Sequence, residues 1–309
     1  DPDQGWRSPP QSRCRYRAVV ADDRGAAMIL SILLPLMAQV GPSVGVGAGG
    51  SLPQAPLEIP RKRAEAVAQP VPLTPAAQCR KLLADNPAQA AAFAEHRLKD
   101  LKGSARAEPG QCLGMALAAQ GKWEAAQAAF TAARAVTPAS EPANRARLGG
   151  MAGNAVLALG KPDTALALLD LAHGEALGAG DSRLAAEISI DRARALVALK
   201  RDGDAATALA TARVNAAENG QGWLLSATLS RRQGKLAEAQ QQILVAAQLM
   251  PLDPEVGLEA GVIAMLAGRE DAARRSWSSV VRAAPGSDPA RTAQSYLDQL
   301  GPDPAPSGR

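Results

Sequence analysis

Two histidines, His96 and His173, and three cysteines, Cys14, Cys79 and Cys112, have the most chemistry to offer in this chain. A metal site needs several such ligands converging on one point. The histidines lie far apart, and neither has a Cys or His partner at ligand spacing. Each reads as a solvated or locally bonded side chain. GVGAGG (45–50) has the composition of a phosphate-cradling loop, but it does not sit between a strand and a helix, the context such a loop needs. No P-loop, nucleophile elbow or HExxH pattern occurs. No catalytic, cofactor-binding or metal-binding residue is assigned, and a non-enzyme without cofactor is expected.

The cysteines are a separate matter. Removal of a leader that carries Cys14 would leave Cys79 and Cys112. An exported chain can oxidise such a pair; in a reducing compartment they are two buried thiols. A bridge would close a loop of about 33 residues, with a stabilisation of about 3–4 kcal/mol in the chain-entropy model. Geometry decides between the two, and sequence does not supply it.

The rest of the chain must position these groups. Of 309 residues, 47% are apolar but only 3% aromatic, so the core is built mainly from Ala, Leu, Val and Ile. Ala favours helices, because it loses least side-chain entropy there. Period-two runs of β-branched and aromatic residues, the mark of strands, are absent. The fold class is therefore all-α. The net charge of +4 is mild, with both signs interspersed. RKR (61–63) is the only purely basic triplet, and no basic face interleaved with aromatics supports nucleic-acid binding.

Residues 1–27 show no periodicity and read as unstructured or as translated upstream sequence. From Met28 follows MILSILLPLMAQVGPSVGVGAGG. Its apolar run, Ala26 to Val40, is shorter than the roughly 20 residues of a spanning helix. It fits a secretory leader over 28–48, with cleavage after Ala38 or Ala48. No Lys or Arg lies between Met28 and the run, so an uncleaved membrane anchor and a buried cytosolic helix stay open. The expected location is the periplasm or outside the cell, with inner-membrane anchoring or the cytoplasm as alternatives. Residues 49–75 are rich in Pro, Gly and Ala and read as a linker; 301–309 read as a tail. The folded part is expected over 76–300.

Within it one pattern repeats. QGKWEAAQAAFTAARAVTP (120–138), QGKLAEAQQQILVAAQLMP (233–251) and AGREDAARRSWSSVVRAAP (267–285) share four positions. They are Gly121, Ala126, Phe130 and Pro138; Gly234, Ala239, Ile243 and Pro251; Gly268, Ala273, Trp277 and Pro285. A weaker copy carries Gly160, Ala165 and Leu169, with Leu177 in place of Pro. Another carries Ala205 and Leu209, with Lys200 at the glycine position. The anchors at 121, 160, 200, 234 and 268 are spaced by 39, 40, 34 and 34 residues. The extra residues are expected as helical turns or longer connections around 139–143 and 174–182. The Gly closes one helix in the left-handed conformation. The Ala marks a close helix crossing, the large residue fills the space between pairs, and the Pro ends the second helix. One pair cannot bury its apolar face alone, so pairs stack.

This pattern resembles the tetratricopeptide repeat family, a 34-residue helix–turn–helix with small residues at the crossing and a Pro near the end. Leu113, Gly114 and Leu117, Gly153 and Val156, Trp223, and Gly261 add to the likeness. The resemblance implies a right-handed solenoid of antiparallel helix pairs. It implies five to six repeats, 76–98 being a degenerate first one, and a capping helix at 289–300. It also implies that the first helices line a concave groove. By the family's spacing, groove-facing positions are Arg147, Asn154, Glu187, Ile190, Arg194, Gln221, Leu224, Thr228, Arg231 and Met265. Asn154 stands where peptide-clamping members carry an Asn, and Arg194 and Arg231 can pair with an acidic tail. The full Lys and Asn set of a carboxylate clamp is missing. Cys79 and Cys112 fall on the first helices of neighbouring repeats.

The expected function is a protein-interaction scaffold that takes a peptide or protein in the groove, in the bacterial cell envelope and near the membrane through its leader. An oligomerisation element of an envelope complex and a cytosolic regulatory subunit are the rivals.

Overall fold

The computed structural model describes residues 73–301. Cys14, the leader, RKR (61–63), GVGAGG and most of the linker lie outside the described residues, as does 302–309. Thirteen α-helices occur among the described residues, and no strand. They follow as α1 (Pro75–Asp85), α2 (Pro87–Asp100), α3 (Ala107–Ala119), α4 (Trp123–Val136), α5 (Pro142–Ala158) and α6 (Pro162–Gly178). Then come α7 (Ser182–Ala198), α8 (Asp202–Asn215), α9 (Gly220–Arg232), α10 (Leu236–Leu249), α11 (Pro254–Leu266), α12 (Glu270–Ala283) and α13 (Asp288–Leu300). Each helix packs on the next, giving six pairs and a last single helix. α1 begins at Pro75, one residue inside the expected linker.

The two ends of each pair are built differently. Most odd-numbered helices start on a polar N-cap: Thr74, Asp181, Asn219, Asp253 and Ser287 each accept a backbone N–H from the first turn. From α3 to α12 the turn inside a pair is a backbone device, also used once between pairs, at Gly180 before α7; α1 and α2 join instead at Asn86, whose side chain caps α2. Gly121 has φ 73°. Its N–H donates to Ala118 O and the N–H of Lys122 to Leu117 O, which satisfies two end carbonyls of α3. The same pair of bonds recurs at 160, 200, 234 and 268. At 200 the residue is Lys at φ 60°, a strain of about 1–2 kcal/mol that glycine avoids. A basic residue follows the turn inside each of these pairs, Lys122, Lys161, Arg201, Lys235 and Arg269, beside the negative end of the preceding helix dipole.

The pairs are held by size complementarity. Gly114, Gly153 and Gly261 face Phe130, Leu169 and Trp277, sixteen residues on, all three fully buried. A Cβ at Gly114 would lie 2.5 Å from the Phe130 ring, and one at Gly261 would lie 2.2 Å from Trp277 Nε1. Ala193 with Leu209 and Ala227 with Ile243 occupy the same positions in their pairs and share buried clusters. The two aromatics face glycine; these smaller aliphatics face alanine.

The long repeats are long because their helices are. α5, α6 and α7 have 17 residues each. In the 34-residue repeat, α10 has 14 and α11 has 13. Without a Pro at 177, α6 runs to Gly178. Its added turn carries Glu175, which binds Arg134 of α4 at 2.6 Å and Arg145 of α5 at 3.5 Å.

Gly174 offers a control for this packing, since it is exposed in mid-α6 with nothing near its missing Cβ. Gly174→Ala is expected to stabilise by about 0.5–1 kcal/mol through helix propensity. Gly114→Ala gains the same propensity but overpacks Phe130, with a net loss of about 1–3 kcal/mol. Urea denaturation of both variants measures the difference.

Candidate interaction surface

The odd-numbered helices touch one another directly from α5 to α13, whereas the even-numbered ones make no comparable contacts among the described residues. The odd helices therefore line the inner face. The polar groups of that face form a line across consecutive helices. Asn154 on α5 donates to Asp191 Oδ2 on α7 at 2.6 Å. Arg194, one turn on, donates to the other Asp191 oxygen and reaches Gln221 Oε1 on α9 at 3.5 Å. Arg231, near the end of α9, grips Glu259 of α11 with two bonds, at 2.6 and 3.3 Å. The Arg231 and Glu259 side chains are 23% and 13% exposed, so water screens this pair less than the surface pairs.

Ten positions are expected here from sequence, six of them polar or charged residues singled out for binding. Asn154, Arg194 and Gln221 are brought into one chain, and Arg231 into its own pair. Arg147 is exposed and donates to Asn144 of its own helix at 3.1 Å. Glu187 lies 3.6 Å from Arg183. Arg194 and Arg231, read as able to pair with an acidic tail, are both bound to carboxylates of the chain itself. Asp191 and Glu259, which do this, are not marked by the sequence reading. They are ordinary acidic residues in the sequence: Asp191 pairs with Arg194 three positions on and with Asn154 37 positions back, and Glu259 with Arg231 28 positions back. Two other expected positions face inward. Ile190 and Leu224 are 3% and 5% exposed, because this side of each odd helix packs on its neighbours; Ile190 lies against Gly222 of α9. Thr228 bonds to the carbonyl of Leu224, and Met265 is half-buried beside the α12–α13 cluster.

The cysteines are joined. Cys79 on α1 and Cys112 on α3 form a disulfide, with Cα atoms 6.1 Å apart and both residues 2% exposed. His96 is exposed on α2. His173 on α6 lines an outer cleft of about 330 Å³ with Asp170, Arg192, Arg201 and Asp204. Burial and the Arg192 charge push its imidazole below the usual histidine range. No group of three His, Cys, Asp or Glu is placed to hold a metal ion, and no helix is long and apolar enough to cross a membrane, among the described residues.

Two inner-face carboxyls are under-compensated. Burial raises Glu187 above the usual carboxyl range, against the pull of Arg183 and Arg147. Burial and Asp253 raise Glu255 on α11, against Arg194. Glu255 is nonetheless solvent-accessible, as expected of a side chain in a groove. A raised folded pKa means that the native state holds protons more tightly, so stability falls as pH rises from the unfolded value through the folded one. The Glu187→Gln, Glu255→Gln double variant is expected to be more stable than the parent at pH 7. That advantage should vanish below the ordinary value of 4.5, as read by urea midpoints at the two ends.

No protein-family model and no curated protein matches the sequence. Solved structures do resemble the fold. PilW, a type IV pilus biogenesis factor, aligns with a TM-score of 0.58 at 17% identity, over 71% of this chain and 96% of its own. PilF of Pseudomonas aeruginosa gives 0.56 at 17% identity, over 72% and 96%. TTC0263 of Thermus thermophilus, a thermophilic TPR protein, gives 0.52 at 19% identity, over 61% and 97%. With the repeated left-handed turn and the small-against-large crossing, these likenesses show that the described chain has the fold of a tetratricopeptide-repeat solenoid.

Proposed function

We propose that the chain is a non-catalytic scaffold that holds a peptide or protein partner along the inner face of its odd-numbered helices, in the bacterial cell envelope. The observation that carries this reading is the polar line from Asn154 through Asp191 and Arg194 to Gln221, continued by Arg231 and Glu259. The bonded line crosses three neighbouring odd helices, α5, α7 and α9, and the separate Arg231–Glu259 pair ties α9 to α11; both are part-buried and fixed before any partner arrives. A preformed surface of this kind adds little ordering cost on binding. The Cys79–Cys112 bridge supports the envelope location, since such bonds persist in oxidising compartments.

A second reading draws on the other face. Leu171 and Leu177 of α6, Val214 of α8 and Leu244 of α10 are more than half exposed, Val214 at 82%. Self-association through these helices would make the chain an assembly element, visible as oligomers in light scattering.

Photo-crosslinking in the native host separates the two. A crosslinkable residue at Thr228 or Met265 is expected to trap a partner of different mass. The same residue at Val214 should trap none. Adducts from Val214 alone, at the mass of a second copy, would overturn the inner-face reading in favour of assembly.

A further inference from the structure

The two ends of the solenoid are closed by different means. At the C-terminal end, α13 is held by packing. Ala290 and Ala293 are buried, and Tyr296, Leu297 and Leu300 pack on the same cluster. Tyr296 packs against Trp277 in a tilted contact, with ring centroids 5.0 Å apart. Arg274 of α12 donates to the carbonyls of Leu300 and Gly301 at 3.0 and 2.7 Å. At the N-terminal end, α1 has 11 residues and fully buries one of them, Cys79. Leu82 and Leu83 are only partly covered. Among the described residues, no side chain of α1 makes a hydrogen bond or ion pair to another helix. Asn86 alone separates α1 from α2. The strongest tie between α1 and the rest is therefore covalent.

We propose that the Cys79–Cys112 bond is a redox-controlled latch. With the bond formed, α1 covers Ala90, Ala91 and Leu113 of α2 and α3 and closes the N-terminal end of the stack. With the bond reduced, α1 undocks while α2–α13 keep their fold. Reduction needs a dithiol as co-reactant. Its thiolate attacks one sulfur, its second thiol resolves the mixed disulfide, and the reductant leaves oxidised while Cys79 and Cys112 become two thiols. Both sulfurs are buried, so the latch resists brief exposure to reductant and opens only as α1 frays. Terminal repeats that shield a stack keep it soluble. The latch thus ties an open apolar end to the redox state of the compartment.

Hydrogen exchange read by mass spectrometry tests this on the full chain. The oxidised protein is compared with the dithiothreitol-treated protein and with the Cys79→Ser, Cys112→Ser double variant, which needs no reductant. Amides of α1 are expected to exchange on the order of a hundredfold faster or more without the bridge, in line with the constraint such a loop imposes. Amides of α3 and α13 should keep their protection. Three results would overturn the proposal: free thiols in the oxidised protein, α1 protection that stays within about threefold, or a loss that spreads equally through α3.

Discussion

The approach of two helices at one crossing governs this molecule. In pair after pair, a residue with little or no side chain on the first helix meets a large one sixteen positions later on the second. Gly114 meets Phe130, Gly153 meets Leu169, and Gly261 meets Trp277. The glycine leaves a socket that the large group fills to native density. With so few aromatics in the chain, Phe130 and Trp277 are spent where a glycine gives them room. Once a pair has this separation, the same left-handed turn suffices for the five pairs from α3 to α12, and the pairs stack through what remains of their apolar faces.

Stacking then determines what the inner face can display. Neighbouring odd helices present equivalent positions to one another, so a polar side chain on one lies within reach of the next. Charges that would be costly if left half-buried and single are bonded instead: Asp191 with Arg194 on its own helix and with Asn154 across the repeat, Glu259 with Arg231 across the repeat. Along this line the pairing gives rigidity and near-neutrality at the same time, and a partner that binds there meets pairs; Glu187 and Glu255 are the exceptions, carboxyls whose charge is under-compensated. The partner must insert alongside the pairs or exchange one of their members.

The scaffold is legible in the sequence because its marks are local. A glycine after a helix, a proline eight positions past the large residue, and small residues at fixed offsets each act within a turn or two. Even Lys200 reads as a turn residue, since it stands at the glycine position of its copy. The extra residues of the long repeats read equally as helical turns or as connections, and in the structure they are helix. The face is less legible. Glu259 has no local signature, because its partner lies one repeat away, and Asp191, beside Arg194 on its own helix, gives no local sign of its bond to Asn154. The resemblance to the repeat family puts Ile190 and Leu224 on the groove, but the odd helices approach so closely that these positions are swallowed between them.

The most direct test of the central claim is a double-mutant cycle at one crossing, with Gly261→Ala measured beside Trp277 and beside Trp277→Leu. If the socket sets the pair, alanine destabilises the chain when tryptophan is present and is neutral or stabilising when leucine leaves space. A coupling of about 1–3 kcal/mol is expected for side chains in direct contact. Equal costs in both backgrounds would contradict the account and would mean that the glycine is there for some reason other than its neighbour.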